Sequence, residues 1–99
     1  SQPQAPVAPG PTAAPAPKVT GVSKDTGSIK GDEPVTITGT NFSEGATVQF
    51  GGVPATSVSF VDGTTLKVLT PGHAPGKVDI VVENPDGQSD TLPGAFTYN

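Results

Sequence analysis

The side chains able to do chemistry are few and scattered. His73 is the only histidine, and it stands in Pro71-Gly72-His73-Ala74-Pro75-Gly76, a loop by every local signal. A hydrolytic triad needs a nucleophile held beside such an imidazole and an acid behind it, and no GxSxG elbow occurs. His73 therefore reads as an exposed loop residue. The acids fall at Asp25, Asp32, Glu33, Glu44, Asp62, Asp79, Glu83, Asp86 and Asp90. Calcium needs six or more converging oxygens, and no DxDxDG loop is present, which leaves at most a weak site where loops meet. Asp62 and Asp86 belong to turns, where Asp is favoured for its bonds to nearby backbone. Paired carboxylates for glycoside cleavage would require a cleft that so short a chain seldom supplies. Neither catalysis nor a cofactor is expected.

Ring stacking on a sugar is the remaining chemistry to weigh, and it calls for exposed aromatic side chains. The chain has no Trp, and its aromatics are Phe42, Phe50, Phe60, Phe96 and Tyr98. All five occupy positions expected to face inward, with Phe60 and Tyr98 the least firmly placed. A ligand-binding role, if one exists, falls on Phe60 and Tyr98.

The elements that hold these residues follow from composition. Gly 13 and Pro 12 together make about a quarter of 99 residues, and Cys, Met and Trp are absent. Without Cys there is no disulfide framework, thiolate metal site or redox pair. Five Lys against nine acids give a net charge of −4, so the electrostatic footprint of a nucleic-acid binder is missing. No apolar run is long enough to span a bilayer, and membrane insertion is not expected.

Residues 1–17 carry six Pro and five Ala with no charge and no aromatic. Such a stretch buries too little apolar surface to offset its chain entropy, and its prolines favour extended polyproline II. It reads as a disordered, semi-rigid linker. Pro3-Gln4-Ala5-Pro6 and Pro6-Val7-Ala8-Pro9 fit a PxxP spacing, but no flanking base supports an SH3-type docking ligand.

From residue 18 the composition changes, and 26 of the remaining 82 residues are Val, Thr or Ile. β-Branched side chains suit a pleated surface and lose rotamer freedom in a helix. Period-2 alternation confirms the choice in Val35-Thr36-Ile37-Thr38, Val48-Gln49-Phe50, Leu66-Lys67-Val68 and Val78-Asp79-Ile80. Turns recur at short spacing, and Asn84-Pro85-Asp86-Gly87 suits a type I turn followed by a left-handed residue, closing a hairpin. About seven short strands in this length predict an all-β, two-layer antiparallel β-sandwich. Its expected core is Val22, Val35, Ile37, Phe42, Val48, Phe50, Val58, Phe60, Leu66, Val68, Val78, Ile80, Val82, Phe96 and Tyr98. Gly39, inside a strand pattern, predicts a bulge or a close backbone approach. Lys67 and Lys77 are expected to guard exposed edge strands against further pairing.

Gly31, Pro34-Val35-Thr36-Ile37-Thr38-Gly39-Thr40-Asn41-Phe42 and Ala46-Thr47-Val48-Gln49-Phe50-Gly51-Gly52 follow one another in an order and spacing by which residues 18–99 resemble the IPT/TIG domain, an immunoglobulin-like fold. The resemblance continues through Thr65-Leu66, Thr70-Pro71, Gly76-Lys77-Val78-Asp79-Ile80-Val81-Val82, Asn84-Pro85-Asp86-Gly87 and Phe96-Thr97-Tyr98. Lys24 stands where family members often have Pro, and Gly31-Asp32 where a Gly-Gly pair is frequent, which leaves the path of the first loop open.

The resemblance implies a bacterial extracellular module: a spacer or protein-interaction domain that positions a neighbouring domain of the same polypeptide. Similar domains occur in secreted polysaccharide enzymes such as cyclodextrin glucanotransferases, so polysaccharide or another surface protein is the alternative partner. The Rel-type branch of the family is disfavoured by the lack of Arg and the acidic balance, and the plexin branch by the Pro/Ala segment and the lack of Cys.

Overall fold

Alternating β-branched residues give strands, and Gly- and Pro-containing turns fold them into two layers. The computed structural model describes residues 15–99. The chain forms β1 (Lys18–Val22), β2 (Thr26–Gly27), β3 (Pro34–Thr40), β4 (Thr47–Phe50), β5 (Val53–Pro54), β6 (Ser57–Asp62), β7 (Thr65–Leu69), β8 (Gly76–Glu83) and β9 (Ser89–Tyr98). One sheet has the order β1-β3-β7-β6 and the other β2-β9-β8-β4-β5. This is an immunoglobulin-like sandwich, with seven substantial strands and two of only two residues.

Most pairings are antiparallel, as expected. The exception is β2, which runs parallel to the end of β9, with Thr26 opposite Thr97 and Gly27 opposite Tyr98. Two residues carry no alternation to read, so periodicity gives no sign of this strand.

The core lies between the sheets, where Val35 and Ile37 of β3, Val48 and Phe50 of β4, Leu66 and Val68 of β7, Val78, Ile80 and Val82 of β8, and Phe96 and Tyr98 of β9 are buried together with Phe42. Val19 and Ala46 join them without having been expected there. Val22 and Val58 are only half-buried against this core. Phe60 departs further and is exposed.

Gly39 meets the second of the two alternatives attached to it, a close backbone approach. A Cβ at this position would run into the Lys18 carbonyl oxygen and the Phe42 ring. Opposite it, β1 slips its register between Val19 and Gly21, leaving Thr20 as the extra residue of a bulge. The Asn84 turn also forms as read: Gly87 N–H donates to the Asn84 carbonyl at 2.9 Å, Asn84 N–H donates to the Gln88 carbonyl at 2.8 Å, and Gly87 takes φ +92°. The first loop resolves in the same terms. Gly31 and Asp32 are both left-handed, at φ 83° and 60°, and Asp32 N–H donates to the Thr70 carbonyl at 2.7 Å. Asp tolerates this backbone region better than most non-glycine residues.

Two buried polar side chains brace the loops. Asn84 accepts from Ser43 N–H at 3.1 Å and donates to the Asn41 carbonyl at 2.9 Å. The Thr70 hydroxyl accepts from Glu33 N–H at 3.1 Å. Each thereby satisfies groups that would otherwise be buried without partners.

Candidate functional site

The sandwich has four strand edges, and they are not alike. Backbone N–H and C=O groups on an edge are templates for another strand unless something blocks them. At β1 the block is a carboxylate from the other sheet: Val19 N–H donates to Asp90 Oδ2 at 2.8 Å. The two-residue strands β2 and β5 edge the second sheet, and β5 contains Pro54, which has no donor. The remaining edge, β6, is six residues long and holds neither Pro nor Lys.

Lys67 and Lys77 do not guard any of these edges. Lys67 lies on β7, between β3 and β6, and Lys77 on β8, between β9 and β4. Alternation along a strand shows which face a side chain takes; it carries no information on whether the strand is interior.

Phe60 lies on β6 directly opposite Leu66 of β7, and Val58 lies opposite Val68. Leu66 and Val68 point into the core, so Val58 and Phe60 share that face. Phe60 nonetheless stays 39% exposed, because the opposing sheet ends in the two residues of β5. Val61, 50% exposed, is the extra residue of a bulge between Phe60 and Asp62. The inward reading of Phe60 was thus right in direction, and the expected burial fails for want of a covering strand.

Tyr98 is the opposite case. It is 1% exposed, and its hydroxyl donates to the Pro71 carbonyl at 2.8 Å. Burial pushes its pKa above the ordinary tyrosine value. Tyr98 packs edge-on to Phe96 at 5.0 Å, and Phe96 packs edge-on to Phe50 at 5.2 Å. His73 stacks on Tyr98 with ring centroids 5.0 Å apart and an 18° interplanar angle. The histidine expected to be exposed is therefore half-buried, and its Nδ1 lies 2.8 Å from the Ala74 carbonyl, a contact that fits an Nδ1–H donor. Phe60 and Tyr98 lie in different sheets and form no common platform.

The ionisable groups are spread over the surface. Among the described residues no three His, Cys, Asp or Glu side chains converge as metal ligands would. Lys24 pairs with Glu33 at 2.8 Å and, by hydrogen bond and charge, lowers the Glu33 pKa. Hydrogen bonds from Thr64 lower that of Asp62, and bonds from Gln88 lower that of Asp86. These carboxylates cap turns. Among the described residues no helix is long and apolar enough to cross a membrane.

The strand registers also fix the two poles of the sandwich. At one pole β1 begins beside Thr40 and Asp90, close to the turns at Gly63 and Asn84. At the other, β9 ends beside Gly76, where Asn99 N–H donates to the Gly27 carbonyl at 2.9 Å and Ile29 N–H donates to the Asn99 carbonyl at 3.3 Å. The chain thus enters and leaves the fold at opposite ends of β9. The eight residues of β8 that run between the same registers, Gly76 opposite Tyr98 and Glu83 opposite Ser89, separate them by roughly 25 Å, because β9 carries two extra residues at the irregularity between Phe96 and Leu92.

Comparison with solved structures finds the same fold in part of the full extracellular region of plexin A4, with a TM-score of 0.73 and 21% identity over 84% of this chain. It finds it also in part of an auxiliary nutrient binding protein from Bacteroides ovatus, with a TM-score of 0.67 and 28% identity over 86% of this chain. The chain spans 8% of the first and 21% of the second, so each likeness concerns one portion of a much longer protein. No curated protein matches. Residues 17–98 match the IPT/TIG domain family, and the chain belongs to that family of immunoglobulin-like, typically non-catalytic modules of multidomain proteins.

Proposed function

We propose that this chain is a non-catalytic accessory module of a secreted or cell-surface bacterial multidomain protein, in which it sets the distance and orientation between neighbouring domains of the same polypeptide. The observation that carries this reading is the placement of entry and exit at opposite poles, with both ends hydrogen-bonded to the body of the fold. A sandwich threaded end to end acts as a strut. With residues 1–17 as a Pro/Ala-rich linker before it, the module raises the effective concentration of what it tethers without adding a contact. The acidic, arginine-free composition argues against nucleic acid as a partner.

Carbohydrate binding is the second reading, and Phe60 favours it as the one exposed aromatic among the described residues. Tyr98, stacked internally, would add to such a site only by supporting it. An amide NMR titration with a panel of soluble polysaccharides separates the two readings. The strut reading expects an unchanged spectrum. Shifts clustered on Val58, Phe60 and Val61 would overturn it and map a glycan site.

A further inference from the structure

The open edge of β6 is long enough and free enough of blocking groups to be complementary to itself. Thr70 N–H donates to the Glu33 carbonyl at 3.0 Å, and Gly39 N–H donates to the Thr64 carbonyl at 3.0 Å. In an antiparallel ladder bonding direction alternates residue by residue, so on β7 Leu66 and Val68 also bond toward β3, while Lys67 and Leu69 bond toward β6. On β6 the residues opposite Lys67 and Leu69 are Ser59 and Ser57, which therefore bond inward. The N–H and C=O groups of Val58 and Phe60 face outward.

From this geometry we infer that β6 pairs antiparallel with β6 of a second copy of the chain, about a two-fold axis at Ser59. In that register Val58 of each copy stands opposite Phe60 of the other, and every outward-facing group of the two residues finds its partner. The result is a continuous sheet across two subunits with one self-matching patch, the arrangement a two-fold dimer requires. The side chains agree with the backbone. Val58 and Phe60 lie on the core-facing side, so the pairing makes two Val–Phe cross-strand contacts over the ring that β5 leaves uncovered.

Charge permits the contact. The chain carries a net charge of −4, yet Asp62 is the only charged residue of β6, and its carboxylate accepts from Thr64 N–H at 2.9 Å and from the Thr64 hydroxyl at 2.8 Å. In the proposed register Asp62 falls opposite Thr56 of the second copy, not opposite another acid. The two Lys67 side chains, one strand further out on each side, stand about 14 Å apart, beyond the screening length of about 8 to 10 Å. The bulge at Val61 ends the pairing on one side and the crossing from β5 ends it on the other, so the register is confined to a few residues and the dimer is weak.

Sedimentation equilibrium on the full chain tests the existence of the dimer, and intermolecular NOEs in a mixture of labelled and unlabelled chain test its register. The expected results are a reversible monomer–dimer equilibrium and contacts between Val58 of one copy and Phe60 of the other. Phe60→Lys should weaken association by about tenfold or more through an unpaired edge charge. Val58→Pro should do the same by removing an outward donor while sparing the ladder to β7. Retention of the amide spectrum of β8 and β9 shows that each variant is folded. A chain monomeric at every concentration, or a dimer unaffected by both substitutions, would overturn the inference.

Discussion

The two edges of the four-stranded sheet, β1 and β6, are built from similar material and end in different states. Each has five or six residues, each contains a bulge, and each puts Val on its core side. On β1, Val19 is 5% exposed and its N–H is bonded to Asp90. On β6, Phe60 is 39% exposed and the outward backbone groups face solvent. The cause lies across the sandwich. β1 lies against β9, a strand of ten residues, whereas no strand of the other sheet makes a comparable contact with β6. Whether an edge is closed thus depends on what the opposite layer places against it.

The comparison breaks most visibly at the ring that β1 covers. Phe42→Ala should cost about 3 to 5 kcal/mol in urea unfolding, as expected for a buried aromatic that leaves a cavity. Gly39→Ala should cost about 3 kcal/mol, because its methyl group meets the Lys18 carbonyl and the Phe42 ring, and β1 must move away from β3. Asp90→Ala should cost about 1 kcal/mol and speed hydrogen exchange at Val19, turning β1 into a second open edge. Phe60→Ala, on the uncovered edge, should cost about 1 kcal/mol or less. Equal losses at Phe42 and Phe60 would erase the distinction drawn between the edges.

The smallest effects are those of pH. The folded Asp62 pKa is depressed by its Thr64 hydrogen bonds, so the ionised form favours the folded state. Its contribution is complete above the unfolded-state pKa and is lost as pH falls through the lower folded value. Exchange at the β6–β7 turn should therefore rise in acid. Tyr98 has the reverse sign: its folded pKa is raised by burial, so its contribution is complete below the ordinary tyrosine pKa and is lost as pH climbs through the higher folded value. Alkaline unfolding should be followed by a late phenolate absorbance change.

Much of this was legible in the residues. Alternation located the strands, Gly39 announced the close approach at β1, and Asn84-Pro85-Asp86-Gly87 announced the β8–β9 hairpin. What could not be read was supplied by residues distant in the chain. Val19 is buried through β9, which lies some seventy positions later, and the only signal was a single Val before Thr20-Gly21. His73 looked like a free loop residue because its stacking partner, Tyr98, is in a strand that ends the fold. Phe60 obeyed its period, but no period encodes the length of β5. Lys67 and Lys77 have the composition of edge guards and sit on interior strands, because strand order is a property of topology. The placement of entry and exit at opposite poles likewise depends on registers rather than motifs.

The most direct test of that reading is the distance between the two poles. The chain is free of cysteine, so Lys18→Cys and Asn99→Cys provide unique, exposed attachment points for paired spin labels. Pulsed dipolar spectroscopy should give one narrow distribution centred at roughly 25 to 35 Å, the span of the β8–β9 ladder plus the offset between the layers. A short distance, or a broad distribution from ends that move independently of the sandwich, would contradict a module that carries orientation from one neighbour to the next.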